Sequence, residues 1–180
     1  MPKSRRRCLK DFAANRENLL TGDLARYRLL HIASHGLVDN ERPELSSLLV
    51  SRFDAKGQPR EGVVGLPDIF NLQLSAELVV LSACKTGLGT FVRGEGLVGL
   101  TRGFMYAGAS QIVVSLWSIS DQSTARLMTH FYRALLRDKR PPAAALRQAQ
   151  LDMRRESRYR HPFFWAPFQV HGQWSPANSD

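Results

Sequence analysis

The positions of apolar residues along this chain separate into short continuous runs and longer segments with helical spacing. Four apolar residues from Leu78 to Leu81 form the clearest run, which is typical of a strand buried in a parallel sheet. A similar run lies upstream, and two more lie in the second half of the chain. The pattern therefore predicts strands at 27–33, 78–83, 111–117 and 168–171.

Segments between these runs carry apolar residues at helical spacing. Asn15 can cap the first predicted helix, Pro67 lies near the start of the second, and Gly108 can end the third. The predicted helices cover 15–24, 66–72, 95–107, 120–137 and 143–156. Strands that alternate with helices predict an α/β fold built on a mostly parallel sheet.

Length and composition narrow the class of protein. The 180 residues suffice for one domain, and 43% hydrophobic with 23% charged content is typical of a soluble globular protein. No apolar run approaches the ~20 residues of a membrane-spanning helix, and the amino terminus lacks the apolar segment of a secretory signal. Two cysteines, Cys8 and Cys84, do not indicate a disulfide framework, so a reducing cytoplasm is the predicted location.

The net charge of +9 raises the question of an acidic partner or a nucleic acid. Basic residues concentrate at 3–7 and 154–160, but no aromatic residues alternate with the amino-terminal run and no nucleic-acid motif is present. We therefore interpret the charge as solvated surface arginines, and nucleic-acid binding rests on charge alone.

Two residues with catalytic potential each follow an apolar strand. Cys84 follows 78–83 and precedes a glycine-rich loop, while His35 follows 27–33. Ligands bind at the carboxyl ends of parallel strands, and a histidine ~50 residues upstream of a cysteine is the spacing of caspase-type thiol proteases. Considered alone, Cys84 would be interpreted as a buried, unreactive packing residue. His35 alone would be interpreted as a capped histidine at the end of a strand. Together they indicate a thiol nucleophile and its proton-transfer partner.

Glycine at position 36 strengthens this interpretation. Gly36 has no side chain to keep its backbone N–H from a developing oxyanion, and the N–H of Cys84 is the second expected donor. Zinc binding through His31, His35 and Cys84 is disfavoured, because a four-residue offset in a strand spreads the two histidines by about 13 Å.

Two other patterns have less specific meanings. Gly94 to Gly99 match a dinucleotide-binding fingerprint, but no strand runs directly into Gly94, so a loop meeting a helix is favoured. Asp121 follows the strand at 111–117. Its residue type and position are typical of a helix cap or first-turn acid, and they also allow an acid at the rim of the same cleft.

Five motifs in the same order resemble the CHAT domain, a caspase-like thiol protease family often joined to tetratricopeptide repeats. The resemblance runs from about Ala13 to Trp174. The motifs are Ser34-His35-Gly36, Leu81-Ser82-Ala83-Cys84-Lys85-Thr86-Gly87, Gly94-Glu95-Gly96, Ser115-Leu116-Trp117 with Asp121, and His161-Pro162 with Phe164-Trp165-Ala166.

The resemblance implies a three-layer, caspase-hemoglobinase-like fold with helices on both faces of the sheet. It implies a catalytic dyad of His35 and Cys84, with no metal or cofactor. Separase-like relatives carry an acid at the position of Asp121 that receives an arginine side chain, which implies cleavage after a basic residue. Caspases have glutamine two residues before the cysteine. The chain has Ser82 there, so Ser82 is a substrate-binding candidate and cleavage after aspartate is not implied.

The resemblance also bears on domain organisation. The family's domain is longer, with strands before the histidine strand, so we expect residues 13–174 to be its catalytic half between tails at 1–12 and 175–180. The expected partners are a protein or peptide substrate and a missing amino-terminal half or a repeat-containing protein. An unprotected strand at 27–33 would also favour self-association. Two functions stay open: a cysteine endopeptidase, and a catalytically silent interaction module with the same fold.

Overall fold

A computed structural model of the chain describes residues 6–37, 39, 41–82, 84–85, 95–117 and 120–173. The strands are β1 (Leu29–Ile32), β2 (His35–Leu37), β3 (Ser47–Leu49), β4 (Val63–Gly65), β5 (Leu78–Leu81), β6 (Cys84–Lys85), β7 (Gln111–Ser115) and β8 (Phe168–Gly172). The α-helices are α1 (Arg16–Leu20), α2 (Leu66–Phe70), α3 (Glu95–Tyr106), α4 (Asp121–Tyr132) and α5 (Pro142–Arg155). The predicted glycine loop from Gly87 to Gly94 lies outside the described residues.

The main sheet has the strand order β1-β5-β7-β8. Its first three strands are parallel, as predicted, and β8 runs antiparallel to β7. All four residues of β5 are buried, because β5 lies between two strands and beneath helices on both sides. The architecture is therefore α/β with a mixed, mostly parallel sheet.

Helices cover both faces of this sheet. Val79 and Leu81 of β5 pack with α2 and α3, while Leu78 and Val80 pack with α4 and α5. This division follows from the twofold alternation of side chains along a strand, which sends successive apolar residues to opposite faces. The two hydrophobic cores fix the main sheet as a rigid support for the loops at its carboxyl edge.

A second, smaller sheet has the order β4-β3-β2-β6. The pairs β4–β3 and β3–β2 are antiparallel, and β2 pairs with β6 in parallel. This second sheet is not among the predicted elements. The connection from β3 to β4 turns at 54–57, where Gly57 has φ +77° and donates its N–H to the Asp54 carbonyl at 2.9 Å.

The two catalytic candidates follow β1 and β5 in the chain, but they are not the last residues of these strands, since β1 ends at Ile32 and β5 ends at Leu81. His35 and Cys84 instead begin β2 and β6 of the second sheet. Between β1 and β2, the Ser34 hydroxyl donates a hydrogen bond to the carbonyl of Leu49 in β3. This bond ties the segment to the second sheet.

Local signals at helix ends agree well with the structure. The Asn15 side chain accepts the N–H of Asn18 at 2.8 Å, although α1 ends at Leu20, earlier than predicted. Helix α4 continues into one π-helical segment to Arg137, the predicted end. Gly108 follows α3 with φ +110°, and a Cβ there would lie 2.1 Å from the Leu74 carbonyl oxygen, so only glycine fits.

No helix in the described part of the chain combines the length and the apolar character needed to cross a bilayer.

Candidate functional site

The pairing of β2 with β6 brings the two catalytic candidates side by side. His35 and Cys84 are register partners in these parallel strands, and Gly36 is the partner of Lys85. Neighbouring strands lie about 4.8 Å apart, which separates the two backbones by roughly that distance. The His35 residue is exposed. The backbone pairing thus places Cys84 and an exposed histidine side by side.

The segments that lead to these residues are tied together where the main sheet ends. The N–H of Ser82 donates to the carbonyl of Ile32 at 3.1 Å, continuing the β1–β5 ladder by one bond. In addition, Nε2 of His31 lies 2.8 Å from Oγ of Ser82, within hydrogen-bond distance. The predicted substrate-binding residue Ser82 therefore has a side-chain partner within the protein.

His31 itself packs against α4. Its ring centroid lies 5.5 Å from that of Tyr132, and the two planes are tilted by 37°. One side of His31 remains exposed, but the surrounding protein displaces enough water to lower the pKa of the ring. Burial likewise raises the pKa of the Tyr132 hydroxyl, so the hydroxyl keeps its proton at neutral pH.

This environment should make the protein less stable in acid. Because the pKa of His31 is lowered only in the folded state, the unfolded chain binds the proton more readily below about pH 6.5. The free energy of unfolding should therefore fall as the pH drops. His31→Gln removes the titration, so urea denaturation between about pH 7 and pH 5 should show a shallower loss than the wild type.

A matched control is available in the same sheet. His171 is exposed on the edge strand β8, so His171→Gln makes the same substitution on another strand and is the matched control. Identical slopes for wild type and His31→Gln would contradict the assignment of this titration to His31.

Gly36 lies inside the second sheet. It is buried, and its register partners are Leu48 in β3 and Lys85 in β6. The predicted use of the Gly36 and Cys84 N–H groups to bind an oxyanion stays a prediction.

Asp121 is the first residue of α4 and is exposed. The cap of this helix is Ser120, whose hydroxyl accepts the N–H of Ser123 at 3.3 Å, so Asp121 is a first-turn acid. Strand β7 is parallel to β5, so the connection from Ser115 to Asp121 leaves the sheet at the same edge as the Cys84 connection. The carboxylate of Asp121 is therefore accessible from solvent at this edge of the sheet.

Among the described residues, no group of three or more His, Cys, Asp or Glu side chains is placed to hold a metal ion. A groove lies elsewhere, between α4 and residues 156–159. Polar side chains that line it are engaged with one another: Arg126 pairs with Glu156 at 2.9 Å, and Arg158 donates to Gln122 at 2.7 Å. This groove lacks the cysteine and the exposed histidine that β2 and β6 bring together.

The comparison with protein families decides the affiliation. The family model described as the CHAT domain matches residues 2–173. This chain belongs to the CHAT domain family. Tetratricopeptide repeat protein 28 of Mus musculus is 34% identical to this CHAT chain over 120 residues, covering 67% of the chain and 5% of that protein. The Homo sapiens protein of the same name is 33% identical over 112 residues, covering 62% and 4%. The chain thus spans about 5% of the length of the curated relatives it matches.

Proposed function

We propose that this CHAT domain is a cysteine endopeptidase of the caspase-like and separase-like kind. The observation that carries the proposal is the β2–β6 pairing, in which His35 and Cys84 are register partners. A nucleophile and its base must lie within hydrogen-bond reach of a common substrate, and neighbouring strands give that proximity. The mixed α/β architecture with helices on both faces is consistent with a caspase-hemoglobinase-like fold.

The proposed reaction needs no group beyond the protein and water. His35 takes the proton of the Cys84 thiol, the resulting thiolate attacks the peptide carbonyl carbon, and the carbonyl oxygen becomes an oxyanion. The C–N bond then breaks, leaving a thioester on Cys84, and His35 gives its proton to the departing amine. Next, His35 removes a proton from water as the water attacks the thioester, which releases the new carboxyl end and restores the thiol. In this scheme the N–H of Cys84 stabilises the oxyanion.

A peptide library incubated with the purified chain tests this proposal. Wild-type protein should cleave internal peptide bonds, and Cys84→Ala prepared in parallel should not. Equal cleavage by both preparations would assign the activity to a contaminant and remove the support for a protease. Folded, inactive wild-type protein would instead support the silent interaction module.

Asp121 should set a preference for arginine or lysine before the scissile bond. An exposed acid at the same edge of the sheet can pair with a basic side chain, and a bound substrate would shield that pair from water. Asp121→Ala should lower kcat/KM for basic peptides about tenfold, roughly the effect of 1.4 kcal/mol, and leave other peptides nearly unchanged.

The control for this change is Asp138→Ala. Asp138 lies beyond the far end of α4, where it pairs with Arg137 at 3.4 Å, and its loss should not alter the cleavage profile. A wild-type profile led by aliphatic or acidic residues would leave Asp121 with the role of a first-turn acid alone.

We also propose that the domain works together with tetratricopeptide repeats. Both relatives carry these repeats in their names, and the chain matches only a small part of each. Repeats attached to the domain, or a separate repeat-containing protein, would select the substrate protein. Addition of such a segment should raise the rate on a folded protein substrate more than the rate on a short peptide.

A further inference from the structure

The contact between His31 and Ser82 lies directly before the two proposed catalytic residues. His31 is in β1 and Ser82 follows β5, and their side chains meet at 2.8 Å. His35 lies four positions after His31, and Cys84 lies two positions after Ser82. The contact therefore joins the two strands at the points where they leave the main sheet for the second one.

Two bonds hold Ser82 to β1. Its backbone N–H donates to the Ile32 carbonyl at 3.1 Å, and its hydroxyl shares a hydrogen bond with His31. The backbone bond fixes the position of Ser82 along the strand. The side-chain bond adds a second attachment of Ser82 to β1. Cys84, which begins β6, follows after a single intervening residue.

The ring of His31 is in turn supported by the core. Leu30 and Ile32 belong to the core beneath α2 and α3, whereas Leu29 packs on the opposite face with α4 and α5. His31 shares the face of Leu29 by strand alternation, and there it contacts Tyr132 at the end of α4. Tyr132 also makes an edge-to-face contact with Phe131, a fully buried residue. The ring of His31 is thus seated between a core-anchored tyrosine and Ser82.

We propose that His31 is a positioning residue that orients Cys84 through Ser82. The consequence for catalysis rests on the proposed function, but the consequence for the reactivity of Cys84 does not. The lowered pKa of the His31 ring supports this role, because a neutral imidazole can donate to or accept from the hydroxyl while a protonated one can only donate. A small misplacement of a nucleophile is enough to cost one to two orders of magnitude in rate.

Three variants test the proposal in the complete chain. His31→Phe keeps a ring against Tyr132 and removes the hydrogen bond, Ser82→Ala removes the other partner, and His31→Gln presents an amide close to the Nε2 position. The readout is the rate at which iodoacetamide alkylates Cys84, followed by mass spectrometry, with Cys8 as internal standard. Cys8 is exposed and distant in sequence from the contact, so its rate should not change.

His31→Phe and Ser82→Ala should each slow alkylation of Cys84 about tenfold, and the double variant should be no slower than either. His31→Gln should recover most of the wild-type rate. With a cleavable peptide, His31→Phe should lower kcat by a similar factor with KM nearly unchanged, since a nucleophile's orientation matters in the transition state. His171→Phe, on the edge strand β8, is the matched control and should change neither rate.

The proposal is overturned if His31→Phe alkylates Cys84 within about twofold of wild type, or if the effects of the two single variants multiply in the double variant. Circular dichroism shows whether each variant folds, and recovery in His31→Gln distinguishes a lost hydrogen bond from a damaged fold. Absence of peptide cleavage in the wild type would count against the proposed protease, while the alkylation rates would still decide the role of His31.

Discussion

Cys84→Ala should lower kcat/KM for any cleavable peptide by at least about 10³-fold, and His35→Ala should do the same. Alanine cannot form the thioester, and without the imidazole neither the thiol nor the hydrolytic water has a base. The loss should appear mainly in kcat, because neither residue is expected to supply much ground-state binding. Steady-state hydrolysis of a peptide selected from the library measures the effect.

The same variants should remain folded. His35 is exposed, so His35→Ala should cost no more than about 1 kcal/mol of unfolding free energy, as is usual for surface positions. Cys8→Ala and His171→Ala replace the same residue types away from the site, and each should retain wild-type hydrolysis. Full hydrolysis by Cys84→Ala would rule out the proposed mechanism.

The purified chain should self-associate, or pair with a strand from a partner, along the outer edge of β1. The N–H of Ser82 donates to the Ile32 carbonyl, and the N–H of Leu78 donates to the Arg28 carbonyl at 3.2 Å. Backbone groups of alternate strand residues point to opposite edges, so those of Leu29 and His31 point away from β5. Among the described residues no strand pairs with that edge. Open edges of this kind favour pairing with another chain.

Proline substitutions separate this edge from the internal ladder. Leu29→Pro removes an outward-facing N–H and should shift the mass measured by light scattering towards that of the monomer, because proline is tolerated at edges. Leu30→Pro is the matched control. It removes an N–H that faces β5 and should lower the free energy of unfolding by about 1–3 kcal/mol. Monomeric wild-type protein, with slow amide exchange at Leu29 and His31, would contradict an open edge.

Much of the main sheet and its helices could be predicted from apolar spacing and end signals. The fully buried run of β5 can be seen in the sequence because every residue of a central parallel strand is apolar. Helix starts were predicted because capping is local: Asn15 and Ser120 each bind an N–H three residues ahead. The motifs of the CHAT family were sufficient to predict the affiliation that the family model confirms.

The second sheet could not be predicted because its strands are two or three residues long. Strands β2 and β6 are too short to show a period, and their pairing depends on how β1 and β5 end rather than on their own residues. The contact between His31 and Ser82 was missed for a related reason, since it joins residues 51 apart in the sequence. The contact could have been anticipated from the register of β1 against β5. That register pairs Ile32 with Leu81 and therefore places Ser82 beside the end of β1.

Competitive labelling of the two cysteines tests the central claim most directly, because it requires no knowledge of the substrate. Wild-type protein is treated at neutral pH with a limiting amount of a cysteine-directed electrophile, and the modification of Cys84 and Cys8 is quantified by mass spectrometry. A catalytic dyad predicts rapid labelling of Cys84 over the exposed Cys8, and loss of that preference in His35→Ala. Equal, slow labelling of both cysteines, unchanged in His35→Ala, would contradict the dyad.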